Sequence, residues 1–214
     1  MKKGLLIVIS GPAGSGKGTV NAKLLQSDEY VYSVSATTRA PRPGERDGVN
    51  YYFITREEFE RRIQDGEMLE YTEYCGNYYG TPLREAKAVL ESGRNLILEI
   101  EVEGALNVKR IYPDAVLIML LPPTYAVQEQ RLRDRGTETE QKILERLERT
   151  KVELQQLPHY DYVVYNHDGG VDRCAEDIRT IAAAERNAEK GGDCAIDRFR
   201  TAQNPDAAKR YFAV

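Results

Sequence analysis

The sequence predicts an α/β fold, a parallel sheet core flanked by helices and interrupted by two insertions. Three observations carry this. Four short apolar runs, LLIVIS (5–10), NLILEI (95–100), AVLIMLL (115–121) and YVVYN (162–166), have the length and β-branched content of buried strands. Helical patterns separate them, over about 17–26, 82–92, 102–111, 124–134, 139–156 and 171–187. The first strand runs straight into the glycine-rich SGPAGSGKGT (10–19), which opens the first helix.

The first apolar run is too short for a leader segment and leads directly into that loop, so it reads as a strand. From Gly11 to Lys17 the loop matches the phosphate-loop pattern G-x-x-x-x-G-K. Gly11, Gly14 and Gly16 let the backbone turn tightly and aim its amides inward, and the helix behind adds its positive end. The segment Gly11, Pro12, Ala13, Gly14, Ser15, Gly16, Lys17, Gly18 and Thr19 therefore reads as a nucleoside triphosphate cradle. Lys17 is placed to reach the β- and γ-phosphates. The pattern usually sets a Ser or Thr hydroxyl on Mg²⁺ directly after the lysine. Here Gly18 holds that position, so the metal has to be held through water or by Thr19.

Residues 30–81 break the alternation. YVYSVS, ATTRAPRPGERDG, VNYYFI and MLEYTEY read as a small mixed-strand insertion rich in tyrosine and turn residues. Arg39 and Arg42 offer planar forks to phosphate oxygens, Pro41 and Pro43 stiffen the loop, and Tyr51 and Tyr79 add hydroxyls. Alone, such a loop reads as solvated. Beside a phosphate loop it reads as the acceptor's phosphate site. Residues 131–149 form a charged helical hairpin around Gly136, with Arg131, Arg133, Arg135, Arg146 and Arg149 among the compensating Glu138, Glu140 and Glu145. Phosphoryl transfer spreads charge that movable arginines can meet, and such a hairpin suits a closing lid. After about 187, GGD (191–193) reads as a linker. The remainder reads as a tail with weak helical signal, either a disordered extension or a docked segment.

The bulk numbers narrow the classes. With 214 residues, 41% apolar, there is room for one α/β domain with inserted subdomains. A net charge of −4 speaks against a general nucleic-acid surface. Cys75, Cys174 and Cys194 are odd in number and show no metal spacing with His159 or His167, which points to reduced thiols in a cytosolic compartment. No apolar run is long enough to span a membrane.

The segments GPAGSGKGT, SVSATTRAPRPGE, GVNYYF, MLEYTEYCGNYYGT, LILEIEVEGA, RGTETEQKILERL and YVVYN, in this order and spacing, resemble the guanylate kinases over about residues 3–185. The resemblance implies a P-loop NTPase-type core (1–34 and 82–187), a mixed α/β subdomain for the nucleoside monophosphate (about 35–81), a helical lid (about 129–150) and a C-terminal tail (188–214). It implies a cytoplasmic enzyme of purine metabolism and GMP recycling. Such an enzyme passes the ATP γ-phosphate to GMP, and to dGMP, with Mg²⁺ accompanying ATP. The Gly18–Thr19 loop is similar to that of nucleoside monophosphate kinases generally.

Residue by residue, the resemblance sets Ser35, Glu70 and Thr81 against guanine, and Arg39, Arg42, Tyr51 and Tyr79 on the GMP phosphate. Lys17, Arg131, Arg135 and Arg146 fall on the triphosphate and Asn166 on adenine. Lys17, Arg39, Arg135 and Arg146 are the catalytic set. Glu99 and Glu101 stand where many relatives carry Asp. Glu101 then reaches the GMP site or orients an arginine, and Glu99 orders waters around Mg²⁺. The base chemistry agrees. Guanine presents N1–H and its amino group side by side to a carboxylate, whereas adenine offers an acceptor at N1 and leaves that carboxylate unmatched. Three other readings remain: a kinase with another acceptor, a non-catalytic scaffold of the same fold, and a nucleic-acid enzyme. Glu70 with Ser35, the loop complete through Lys17, and the acidic balance speak against them in turn. The oligomeric state is not legible.

Overall fold

The structure, a computed structural model, describes residues 3–74, 76–136, 138–187 and 194–212. Cys75, the expected linker at 191–193 and the side chain of Cys194 lie outside the described residues. Cys174 is a free, buried thiol, and burial pushes its pKa up to about 12.

In chain order the elements are β1 (Leu6–Ser10), α1 (Lys17–Leu24), β2 (Tyr30–Tyr32), β3 (Ala36–Thr37), β4 (Tyr52–Phe53), α2 (Arg56–Gln64), β5 (Met68–Tyr74), β6 (Asn77–Pro82), α3 (Leu83–Glu91), β7 (Asn95–Glu99), α4 (Val102–Ile111), β8 (Val116–Leu121), α5 (Tyr125–Asp134), α6 (Glu140–Leu154), β9 (Tyr162–Tyr165), α7 (Val171–Arg186) and α8 (Ala207–Phe212). Five strands form the core sheet in the order β2-β7-β1-β8-β9, every pair parallel. Because side chains alternate across a strand, β1 feeds two cores. Leu6 and Val8 join Leu96, Leu98, Leu117 and Met119 on one face, and Ile7 and Ile9 join Ile97, Ile118, Val20 and Ile178 on the other. Burial on both faces explains why β1 and β8 read as unbroken apolar runs.

The residue pattern assigns β2 to the insertion, but it pairs with β7 in register Val31↔Leu96 and so extends the core sheet. The inserted sheet is mixed, in the order β4-β3-β6-β5. Its helix α2 starts at Thr55, whose hydroxyl accepts from Glu58 N at 3.2 Å. The fully buried Phe59 stacks on Tyr78, centroids 5.1 Å apart, and anchors this otherwise charged helix. Gly136, at φ 60°, turns the chain between α5 and α6, whose Leu132, Ile143 and Leu147 form a third, small cluster.

Residues 194–212 lie against the domain. Ile196 and Phe199 pack into the α7 side of the core, Arg200 bridges to Tyr162 along the outer edge of β9, and Ala207 and Tyr211 of α8 are buried in the opposite core. Among the described residues no helix is long and apolar enough to cross a membrane.

Candidate active site

Gly11, Gly14 and Gly16 all have positive φ, and a Cβ on Gly11 would stand 2.1 Å from the Leu120 carbonyl oxygen. Three successive loop carbonyls are held from outside. Gln128 Nε2 donates to Ala13 O at 2.8 Å, Arg131 Nη1 to Gly14 O at 3.3 Å and Asn166 Nδ2 to Ser15 O at 2.9 Å. A trans peptide points its N–H opposite to its C=O, so holding the Ala13 and Ser15 carbonyls outward turns the Gly14 and Gly16 amides to the other side. Helix α1 follows with no side-chain cap and no acid in its first turn. Its free amides and positive end complete an anion site.

Lys17 Nζ donates to Gly11 O at 2.6 Å and Pro12 O at 3.3 Å. Burial lowers its pKa, opposed by Glu99, Glu101 and Glu153. The lysine stands between two cavities. One, about 460 Å³, lies under the lid hairpin and is lined by Ala13, Lys142, Glu138, Arg146 and Arg149. The other, about 360 Å³, faces the inserted sheet and is lined by Ser35, Arg42, Tyr51, Glu70, Tyr79 and Gly104. Gly11, Lys17 and Glu101 belong to both. Larger grooves occur at the far end of the sheet and beside the C-terminal segment, but neither touches the loop. The anion-binding chemistry, not size, selects the site.

Residues 3–185 match the family model described as guanylate kinase. Guanylate kinases of Halalkalibacterium halodurans and Lactococcus lactis are each 51% identical over 185 residues, which is 86% of this chain and 90% and 89% of theirs. The chain belongs to the guanylate kinase family. The crystal structure of guanylate kinase from Anaplasma phagocytophilum superposes with a TM-score of 0.68 at 33% identity, covering 86% of this chain and 87% of that one. The P-loop core with its two insertions is thus a guanylate kinase fold.

Within that fold the expected residues are distributed as follows. Ser35, Glu70, Tyr51, Tyr79 and Arg42 line the smaller cavity, and Thr81 reaches it through its hydroxyl, which donates to Glu70 Oε1 at 2.8 Å. Arg39 lies over the Tyr51 ring and donates through one nitrogen to both Glu45 oxygens, at 2.9 and 3.0 Å. Glu45 also accepts from Arg42 N at 2.7 Å, and these donors hold its carboxyl below the usual range. On the lid, Arg146 pairs with Glu138 and Arg133 with Glu129 and Glu140, while Arg135 has no bonded partner among the described residues. Glu101 accepts from Arg149 at 2.7 Å and also lines the smaller cavity. Glu99 accepts from Asn21 Nδ2 at 2.7 Å. Thr19 is exposed on the first turn of α1. Nothing lies within 4 Å of where a Gly18 Cβ would be. Asn166, expected at adenine, is buried beneath the loop with its amide on Ser15.

Asn21, Glu45, Gln128 and Gly104 enter the site without having been singled out in the sequence. A Cβ-free Gly104 on α4 leaves room beside Glu70, whose Oε2 would be 3.5 Å from an added Cβ. Glu70 itself is 4% exposed, and burial raises its pKa from 4.5 to about 7 against the Thr81 donors. Between those values the folded chain binds a proton that the unfolded chain lacks, so this group makes stability fall as pH rises. Glu70→Gln should therefore leave stability near wild type at pH 5. At pH 8 it should add up to about 3 kcal/mol, the order given by the shift at 1.36 kcal/mol per pKa unit. Urea unfolding at both pH values checks this, and a variant less stable than wild type at pH 8 contradicts it.

Proposed function

We propose that the chain transfers the γ-phosphoryl group of ATP to GMP, giving ADP and GDP, with donor and acceptor in the two cavities that meet at Lys17. The observation that carries this arrangement is the buried Glu70–Thr81 pair in the cavity facing the inserted sheet. As a carboxylate, Glu70 accepts guanine N1–H and the amino group, and the Ser35 hydroxyl donates to O6. Arg39, Arg42, Tyr51 and Tyr79 take the GMP phosphate, with Arg39 exchanging Glu45 for phosphate oxygens.

The donor's phosphates rest on the loop amides from Gly11 to Thr19. Lys17 leaves the Gly11 and Pro12 carbonyls for the β- and γ-phosphates, and Arg131, Arg135 and Arg146 meet the triphosphate as the lid closes. A GMP phosphate oxygen then bonds to the γ-phosphorus as its bond to the β–γ bridging oxygen breaks, and ADP carries off that electron pair. No covalent enzyme intermediate is required; position and charge supply the rate.

Among the described residues no three metal-ligating side chains cluster. Mg²⁺ accompanying ATP would be held through water by the Thr19 hydroxyl, which is exposed on the first turn of α1, or by the Glu99 carboxylate. When bound, Mg²⁺ draws charge from the phosphates. Arg131 is already tied to Asn166 O at 2.8 Å and to Asp168, so it serves the donor site first by shaping the loop.

ADP release measured with GMP, dGMP, AMP and UMP as acceptors tests the reading directly. Glu70→Gln replaces an acceptor oxygen by a donor and removes the charge. It should cost GMP on the order of 2–3 kcal/mol in kcat/KM and AMP much less, collapsing the ratio between them. Arg42→Ala should weaken both acceptors together. An unchanged ratio in Glu70→Gln, or an equal collapse in Arg42→Ala, would refute this division of labour.

The lid makes a separate prediction. Arg135→Ala and Arg146→Ala should each lower kcat by about tenfold or more while GMP affinity, measured by calorimetry without ATP, changes less than about twofold. Loss of GMP affinity at constant kcat would move these arginines to the acceptor side.

A further inference from the structure

Gln128 is fully buried on α5 with its side-chain amide saturated. Nε2 donates to Ala13 O and to Thr150 Oγ1, each at 2.8 Å, and Oε1 accepts from the Tyr211 hydroxyl at 2.8 Å. Thr150 passes the chain on, donating to Arg146 O at 3.0 Å. The donors all run one way, from α8 through α5 to the phosphate loop and to the lid helix α6, and such a chain reinforces itself. Its origin, Tyr211, lies beyond residues 3–185 that match the family model. Its ring is 1% exposed and meets Tyr125 edge-on, at 6.5 Å and 86°. Tyr125 in turn packs on the lid cluster.

An amide can present either end. The Ala13 carbonyl only accepts, so Gln128 must face it with NH₂ and leave its oxygen on the other side. In a buried site that oxygen needs a donor, and Tyr211 supplies it. Burial pushes the phenol pKa up, so the hydroxyl keeps its proton across the neutral range.

We propose that Tyr211 is a positioning residue for the phosphoryl-donor site: through Gln128 it sets the Ala13–Gly14 peptide plane and the root of the lid. The segment at 194–212 is thereby part of the kinase machinery although it lies outside the matched domain. This rests on the phosphate loop being the ATP site. A wild-type chain that fails to transfer from ATP defeats that reading, whereas a normal wild type with an indifferent Tyr211 variant defeats only the present one.

The test is Tyr211→Phe, which removes one oxygen and keeps the ring. KM for ATP should rise about threefold to tenfold, KM for GMP should change less than about twofold, and the melting temperature should fall by only a few degrees. Ile196→Val, in the same segment but in the opposite core, should lower the melting temperature without separating the two KM values. Gln128→Leu should raise KM for ATP as well, and adding Tyr211→Phe to it should bring no further rise. If Gln128→Leu does not fold, the contrast between Tyr211→Phe and Ile196→Val decides alone. The proposal is overturned if Tyr211→Phe leaves both KM values unchanged, raises both together, or adds its full effect on top of Gln128→Leu.

Discussion

A loop that aims its amide hydrogens at an anion leaves its carbonyl oxygens facing the protein, where each needs a donor. Here those donors come from Gln128, Arg131 and Asn166, at least 115 residues along the chain from the carbonyls they hold. The shape of the phosphate cradle is therefore a tertiary property. It exists only when β1, β8 and β9 lie side by side, because Asn166 follows β9, while α5 must cross the loop to bring the other two donors. The glycines permit the conformation; the three side chains select it.

The same economy governs charge. Arginines around the two cavities are paired with the chain's own carboxylates: Arg39 with Glu45, Arg146 with Glu138 and Arg149 with Glu101. The two lid pairs are the more exposed and contribute little stability, so exchanging their carboxylates for phosphate costs little, whereas the Arg39–Glu45 pair is largely shielded from solvent. Glu70 follows the opposite rule. Its surroundings oppose ionisation, and the group best able to offset that burden is a ligand with two adjacent N–H donors.

Much of this was legible in the chain because periodicity and loop chemistry are local. Four core strands and six helices follow from apolar spacing, and Gly11 to Lys17 from its pattern. The elements that escaped are those whose meaning is non-local. Strand β2 is three residues long, and only its pairing with β7 makes it core. Helix α2 has the single buried anchor Phe59 in a charged stretch, too little to raise an apolar period. Gln128 and Asn21 are polar residues on helices with little amphipathic pattern, so nothing in their neighbours says that they point inward. Asn166 stands where a strand ends at the site, and its donation to Ser15 O joins positions 151 residues apart, which no local pattern reveals.

The bridge between Arg200 and Tyr162 has a consequence for how the molecule behaves in company. Strand β9 ends the core sheet, and an uncovered outer edge with Tyr162, Val163 and Val164 behind it would offer a ready template for another chain's strand. The segment lies along part of that edge, with Thr201 N donating to Asp161 O at 3.1 Å. Proteolytic trimming behind α7 would thus bare an adhesive edge at the same time as it removed Tyr211 from beneath the phosphate loop.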